Sequence, residues 1–171
     1  MAKRVNPRFL PLLKSMRNLG VYLDRSLSMQ THVAKVTQTC FFQLRRLCQI
    51  RRLLGRDVTA NVMATLVITR LDYSNALLAG LPYSTVAPLQ RVINTATRLV
   101  CGLRPRDHVT DATSKLRWLP IRARIQYKLC LLVHRALNDQ SPNYVAELLQ
   151  PVTTRHCGQP TRTPSSSHEH H

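Results

Sequence analysis

The chain has 171 residues, a length typical of one domain, and 44% of them are hydrophobic, which is enough for a packed core. Charge is the strongest compositional signal, because 25 Lys and Arg oppose 8 Asp and Glu to give a net charge of +17. Such an excess opposes compaction unless anions offset it, so it predicts a nucleic acid as partner. A membrane partner is disfavoured, since no basic amphipathic helix carries the bulky apolar face of a surface anchor.

Cysteine usage indicates a reducing compartment, and hydropathy gives no sign of secretion or of a membrane span. The five cysteines are an odd number and contain no C-x-x-C pair for zinc or redox chemistry. Four of them fall within apolar helical patterns and are predicted to be buried thiols: Cys40, Cys48, Cys101 and Cys130. No signal peptide and no apolar run near ~18 residues is present, so we expect an intracellular protein, cytoplasmic or nuclear and not secreted.

The first predicted element is a short strand. Residues 1–16 read as a basic lead-in, and within residues 17–28 the alternation of apolar residues around Gly20 predicts a strand that ends at Asp24. Strand patterns nearly vanish after this point. The rest of the chain is therefore predicted to be helical.

A long amphipathic helix is predicted over residues 29–54, with Gly55 as its stop. Its inward positions are Val33, Val36, Cys40, Leu44 and Leu47. Four cations lie roughly opposite that stripe: Lys35, Arg45, Arg46 and Arg52. Because no acid lies between Arg25 and Arg56, phosphate contact is the favoured interpretation of this face, and an ordinary solvated surface is the alternative.

The second predicted helix spans residues 57–79, with Asp57 as N-cap and Gly80 as C-terminal stop. Its inward positions are Val58, Val62, Leu66, Tyr73 and Leu77. On the same helical wheel Arg70 points into this stripe, where an unpaired guanidinium is very costly to bury. We therefore expect Arg70 to pair with Asp72, with Asn75 or with a neighbouring helix, in preference to a nucleic-acid contact.

Further helical segments are predicted over residues 85–101, 110–116, 120–138 and 142–149. Ser84 is the expected cap of the first, which buries Val86, Leu89, Val92, Ile93, Ala96 and Leu99. The helix over residues 120–138 is expected to bury Ile121, Ile125, Leu129, Leu132 and Leu137. Its cations form a second cationic surface of Arg122, Arg124, Lys128 and Arg135, and the first three of these are predicted phosphate contacts.

These patterns predict a mainly α fold, a bundle of about five helices in residues 29–150 with one short N-terminal strand. Residues 151–171 are rich in Thr, Ser, Pro, Gly and His and are predicted to be a disordered tail.

No pattern gathers residues for catalysis. Two-metal phosphoryl chemistry needs clustered carboxylates, whereas the eight acids are scattered and no Asp-Asp pair occurs. Phosphate-binding loops, nucleophile elbows and H-E-x-x-H helices are also absent from the sequence. We therefore expect neither a cofactor, nor a metal site, nor a catalytic residue on this chain.

Five ordered blocks resemble the reverse transcriptases of LINE-type (non-LTR) retrotransposons. The first is RNLGVYLD at residues 17–24. It is followed by TRLDYSNALLAGLP (69–82), LQRVINTATRL (89–99), RDHVTDATSKLRWLPIRARIQYKLCLLVHRALN (106–138) and SPNYVAELL (141–149). Their order over about residues 17–150 is similar to the thumb-containing region that follows the palm of these RNA-directed DNA polymerases.

The resemblance implies structural roles for several residues. Leu19, Gly20 and Asp24 would shape the edge of the palm, so that residues 17–28 are a remnant of a palm edge strand. A helix signature would comprise Arg70, Asp72, Tyr73 and Asn75, and a helix junction Trp118 and Pro120. The helical region would hold RNA, DNA or an RNA–DNA hybrid by its phosphate backbone, with little base readout.

The departures from the family bear on activity. Fingers and palm, with the Tyr/Phe-x-Asp-Asp motif that holds the catalytic magnesium ions, would precede residue 17, and an endonuclease domain commonly lies further upstream; the sequence contains none of them. A low-complexity segment also replaces the expected continuation after about residue 152. The resemblance thus implies a thumb-like fragment without a catalytic centre. Three alternatives stay open: a subunit completed by a separate palm-containing chain, a nonfunctional translated fragment, and a helical protein-interaction domain.

Overall fold

A computed structural model describes residues 15–147 and residue 149, and it confirms that the fold is mainly α. The described residues fall into two compact units, divided between Leu132 and Val133. Residues 1–14 of the predicted lead-in and the whole predicted tail, residues 151–171, lie outside the described residues. No helix in the described part of the chain is long and apolar enough to cross a bilayer.

The predicted strand has a partner. Strand β1 (Ser15–Asn18) pairs antiparallel with β2 (Val21–Asp24), with Ser15 opposite Asp24. The two-residue turn places Leu19 at φ +45° and Gly20 at φ +84°, a conformation that hairpin turns require and that glycine adopts without strain. The segment SMRN shows no apolar alternation, so nothing in the sequence predicted β1; only the hairpin geometry pairs it with β2.

Helix α1 (Gln30–Ile50) and a 3-10 turn (Arg51–Leu53) confirm the first predicted helix. All its predicted inward positions are buried except Val36, which is half-buried. The chain enters α1 through Asp24, whose carboxylate accepts hydrogen bonds from the backbone N–H and the hydroxyl of Ser28 at 2.7 and 2.5 Å. The hydrogen bond from the Ser28 hydroxyl stabilises the ionised carboxylate and lowers the pKa of Asp24.

The second predicted helix has a different buried face. Helix α2 (Arg56–Met63), a π turn (Ala64–Ile68) and α3 (Thr69–Asp72) follow one another without a gap. Their buried row contains Thr59, Met63, Val67 and Leu71, and the predicted inward residues Val58, Leu66, Tyr73 and Leu77 are exposed. The actual row is rotated by one residue, about 100° around the axis. Thr59 can be buried because its hydroxyl donates to the carbonyl of Gly55, at 2.9 Å.

Both ends of this helix also differ from the prediction. Gly55, and not Asp57, occupies the N-cap, and no side chain caps the first turn. At the other end Tyr73 is extended and Ser74 has φ +57°, so the helix stops before a separate 3-10 turn (Asn75–Leu78). An uninterrupted helix to residue 79 was expected because periodicity alone does not reveal a break that long-range contacts stabilise.

Helix α4 (Tyr83–Cys101) is the centre of the first unit and packs against α1, α2 and α5 (Thr110–Lys115). Its predicted buried side is confirmed, except that Leu99 is half-buried. Pro82 precedes the helix, and the expected cap Ser84 lies within its first turn without a capping hydrogen bond. The apolar period therefore predicted the buried face of the helix correctly, whereas the capping signal did not predict its first residue.

Helix α6 (Ile121–Leu137) begins where the Ile121 N–H donates to Oε1 of Gln90, at 2.9 Å. Ile121 and Ile125 are buried and Leu129 is half-buried, but the predicted core residues Leu132 and Leu137 are 41% and 70% exposed. Periodicity identifies the face of a helix, whereas the neighbouring elements decide how far along that face burial extends. In the second unit a short helix α7 (Asn143–Ala146) follows Pro142, close to the predicted start.

The cysteines are not buried as a group. Cys40 is fully buried and Cys101 is half-buried, but Cys48 and Cys130 are exposed, so the prediction is wrong for these two. Both lie in apolar helical patterns but beside, not within, the buried row, where a small apolar side chain is easily exposed. Burial raises the pKa of the Cys40 thiol to about 11.

Thiol labelling should therefore separate these positions. At a pH of about 8 we expect Cys48 and Cys130 to be alkylated by iodoacetamide well before Cys40, because the thiolate is the nucleophile and Cys40 is both protonated and shielded. Peptide mass spectrometry measures the order of labelling, and labelling in denaturant removes the differences as a control. Labelling of the folded protein at Cys40 as fast as at Cys48 would contradict this assignment of burial.

Candidate nucleic-acid interface

Most cations of the described chain have no acidic partner. Only one ion pair occurs among the described residues, between Arg124 and Asp72. Two other acids are engaged by local hydrogen bonds: Asp24 accepts from Ser28, and Asp107 accepts from the backbone N–H of Arg104, at 2.8 Å. The positive charge of the helices is therefore not neutralised within the described structure, and anions in solution must offset it.

Helix α1 and the 3-10 turn that follows it present a cationic face to solvent, and all four predicted contact residues there are exposed: Lys35, Arg45, Arg46 and Arg52. Lys35 and Arg46 are eleven positions apart and so lie on nearly the same side, separated by about 16 Å along the axis. Phe42 lies in the same row, half-exposed, with the Arg46 guanidinium 5.7 Å from its ring centroid. This row combines charges for phosphates with an aromatic face on which a base could stack.

The row begins at a cleft of about 440 Å³, which we call the hairpin cleft, between the β-hairpin, α1 and α3. Among the residues that line it are Arg17, Tyr22, Lys35, Thr39, Arg70 and Tyr73. Three cations thus converge on one concavity whose lining contains no acid. The arrangement suits a phosphate group, with two tyrosine rings available for neighbouring apolar parts of a ligand.

Arg70 has a different place from the predicted one. It is exposed and lines the hairpin cleft, and Asp72 pairs with Arg124 instead. The expectation of a buried Arg70 was wrong because the buried row of this helix runs through Val67 and Leu71, one residue away from the predicted stripe. Of the other proposed partners, Asn75 is buried, with its side-chain oxygen unpaired among the described residues.

Tyr73 ties the hairpin to the helical body. Its phenol donates to the carbonyl of Leu19 at 2.5 Å, and its ring lies 3.6 Å from the point where a Cβ on Gly20 would stand. A Cβ at Gly20 would be in ordinary van der Waals contact with the ring, so it is the positive φ of the turn, and not a lack of space, that favours glycine here. Two residues of the sequence signature, 53 positions apart, meet in the wall of the cleft.

His32 is buried beneath the hairpin, where its Nδ1 accepts the backbone N–H of Tyr22, at 3.4 Å. Burial disfavours the imidazolium and lowers the pKa of His32 below its usual 6.5. Protonation at Nδ1 would also remove the acceptor for Tyr22. His32 therefore supports the cleft in its neutral form.

The free energy of unfolding should consequently fall as the pH drops through about 6.5, because the unfolded chain binds a proton that the folded His32 resists. We expect urea unfolding midpoints to decrease between pH ~7.5 and pH ~5.5, and His32→Gln to reduce this decrease. The matched control is His108→Gln at an exposed histidine, which should leave the pH dependence unchanged. Equal behaviour of the two variants would contradict the role of His32.

The second predicted surface, on α6, is only partly available. Arg122 and Lys128 are exposed, and the Arg122 guanidinium lies over the Tyr83 ring, 4.9 Å from its centroid. Arg124 donates to both carboxylate oxygens of Asp72, at 2.8 and 3.0 Å, and to the carbonyl of Leu119, at 2.8 Å. Its side chain is only 11% exposed. Arg124 is thus a structural residue in this geometry, and the predicted surface reduces to Arg122 and Lys128.

A further arginine cluster surrounds the end of α1. Arg51, Arg52 and Arg56 line a common depression next to the end of α4, and Nη2 of Arg56 lies 3.6 Å from the sulfur of Cys101. Only Arg52 was among the predicted contacts. Arg17, Arg51, Arg56 and Arg70 were missed because their approach to the others depends on chain turns and on long-range packing.

The predicted helix junction is formed by the end of α5 and the start of α6. Trp118 is half-buried against the core, with its backbone N–H bonded to the Thr113 carbonyl at 3.0 Å. The Pro120 carbonyl accepts the N–H of Arg124 in the first turn of α6, at 3.0 Å. Among the described residues, no group of three or more His, Cys, Asp or Glu could hold a metal ion. The acids of the described residues therefore do not form the carboxylate cluster that two-metal phosphoryl chemistry requires.

Comparison with known proteins adds no relative: no protein-family model, no curated protein and no solved structure matches this chain.

Proposed function

We propose that this chain is the thumb-like region of a non-LTR retrotransposon reverse transcriptase, which holds template–primer nucleic acid by its phosphate backbone and has no catalytic centre of its own. The observation that carries the proposal is the acid-free cationic row from the hairpin cleft to Arg46. The ordered sequence blocks between residues 17 and 149 supply the family part of the proposal.

The geometry suits a backbone and not a single anion. A duplex carries one charge per ~1.7 Å of its axis, so a helix that places cations about 16 Å apart can contact several phosphates of one strand. Lys35 and Arg46 have this spacing, and Arg45 and Arg52 widen the face on one side. Lysine and arginine at exposed positions provide affinity without sequence readout.

The hairpin cleft gives the row a defined beginning. Arg17, Lys35 and Arg70 come from three different elements, so a phosphate placed there would be held by β1, α1 and α3 together. Its position would be set by the Tyr73–Leu19 hydrogen bond, which connects the hairpin to the helices. The remaining cations on α1 would then align the strand that continues from this phosphate.

The direct test is fluorescence anisotropy of a labelled RNA–DNA hybrid titrated with the protein at several salt concentrations. We expect saturable binding and a linear decrease of log K with log salt, with a slope of about −4 to −6 for five or six phosphate contacts. Single-stranded RNA and duplex DNA as further probes rank the nucleic-acid types. Absence of binding at low salt, or an affinity independent of salt, would refute the proposal.

A protein partner is the second candidate, and exposed apolar side chains favour it. Phe42, Leu53, Val58 and Leu77 are at least half exposed on helical segments of the first unit. They suit a helical protein-interaction domain, or docking to a separate palm-containing polymerase chain. Co-precipitation that survives an excess of heparin would support this candidate, whereas loss of all bound partners in heparin would support the nucleic-acid proposal.

A further inference from the structure

A second cleft of about 440 Å³ lies away from the cationic row, between α4, α5 and the loop that joins them; we call it the loop cleft. Its volume falls in the range of ~300–1,000 Å³ that is typical of small-molecule sites and exceeds what a lone phosphate needs. The residues used below all line it: Asn94, Arg98, Arg106, Asp107 and Trp118. The proposed function does not use the loop cleft. The sequence signature includes only Trp118 and Pro120 from its lining, as parts of a helix junction.

Arg98 is the first residue of this cleft that suits an anion. Its Nε–H is buried and has no hydrogen-bond partner among the described residues. A buried guanidinium donor without an acceptor is costly, and such donors are normally paired in a folded protein. Arg106 lines the same cleft from the loop, so two guanidinium groups are available to an anion there. Paired arginines match the oxygens of a phosphate monoester.

The remaining groups extend the match beyond a phosphate. Trp118 is half-buried and lines the cleft, so part of its indole is accessible to an aromatic base. The Asn94 amide oxygen accepts from Gln90, at 2.8 Å, and its NH2 group has no partner among the described residues, so it can donate to a base edge. Asp107 uses one oxygen for the Arg104 N–H, and its other oxygen can accept from a ribose hydroxyl.

We infer that the loop cleft binds a nucleoside monophosphate, with Arg98 and Arg106 on the phosphate, Asp107 on the ribose and Trp118 against the base. The same chemical group occurs free in solution and at the phosphorylated end of a nucleic-acid strand. Binding is separate from the cationic row, because none of the residues used here lines the hairpin cleft.

Trp118 is the only tryptophan of the chain, so its fluorescence reports directly on this cleft. The tryptophan is excited at a wavelength at which adenosine monophosphate does not absorb. Addition of this nucleotide is expected to change the emission saturably, with a Kd below about 1 mM. Ribose phosphate and adenosine, which each lack one part of the ligand, should bind at least about tenfold more weakly. No saturable change up to about 10 mM adenosine monophosphate would overturn the inference.

Two loop variants make the test specific. Arg106→Gln should weaken binding by about tenfold, while Arg104→Gln, which removes the same charge from the same loop but does not line the cleft, should leave the Kd unchanged. Equal weakening by both would show bulk charge attraction and would overturn the inference.

If an end-phosphorylated single strand binds more tightly than the nucleotide, the natural ligand is a strand end. If the nucleotide binds more tightly, the natural ligand is the free nucleotide. Either result supports the inference. The anisotropy of the RNA–DNA hybrid is measured separately, so the two proposals can fail independently.

Discussion

Replacement of Lys35, Arg45 and Arg46 with glutamine is expected to weaken binding of an RNA–DNA hybrid on the order of a hundredfold at about 0.1 M salt. Each phosphate contact releases condensed counterions, so the loss of three contacts should also reduce the magnitude of the salt slope by roughly three. All three side chains are exposed on α1, and their removal should leave the core and the unfolding midpoint unchanged. Anisotropy titrations at several salt concentrations measure both quantities.

The matched control removes the same charge from another part of the first unit. Arg91 on α4, Arg104 in the following loop and Lys115 on α5 are exposed and lie outside the hairpin cleft and the α1 row. Their triple replacement with glutamine should change the affinity by less than about threefold, since only the long-range field is reduced. If both triple variants lose affinity equally, net charge and not the α1 row determines binding.

The second large effect concerns stability. Asp72→Asn should lower the free energy of unfolding by about 1–3 kcal/mol, because it leaves the nearly buried Arg124 without its carboxylate. Asp72 is itself 44% exposed, so solvent screening keeps the effect below that of a fully buried pair. Urea unfolding of the wild type and the variant measures the change through the midpoint, provided that the m value is constant.

Two comparisons make this prediction specific. Lys128→Gln removes an exposed cation from the same helix and should change stability by less than about 0.5 kcal/mol. In the double variant Asp72→Asn with Arg124→Met the two losses should not add, with a coupling energy of at least about 1 kcal/mol. Additive losses, or a change of the hybrid-binding salt slope by Arg124→Met alone, would contradict a purely structural Arg124.

The apolar rows of α1 and α4 show what local sequence can predict. Val33, Val36, Cys40, Leu44 and Leu47 recur at three- and four-residue steps in a segment with a single apolar stripe, so only one helical face can be buried. The exposed cations opposite this stripe follow from the same geometry. Periodicity and charge together therefore predicted the α1 part of the candidate interface, but not the cations that other elements contribute.

The helix from Arg56 to Asp72 shows the opposite case. Two rows one residue apart are both apolar enough, one through Val58 and Leu66 and the other through Met63 and Leu71, and the sequence does not rank them. Packing against α1 and α4 selects the second row, helped by the internal hydrogen bond of Thr59. This one-residue rotation moves Arg70 from the expected core position to the hairpin cleft.

The helical class, the excess of positive charge and the exposed cationic face of α1 could all be predicted from the amino-acid sequence, because each depends on composition or on the period of a single helix. Three other features could not be predicted in this way: β1 pairs with β2, Arg124 and not Arg70 pairs with Asp72, and Arg17, Lys35 and Arg70 share one cleft. Those outcomes depend on which faces of different elements meet. Meetings between segments that are far apart in the chain are governed by packing of the whole core, which no local pattern encodes.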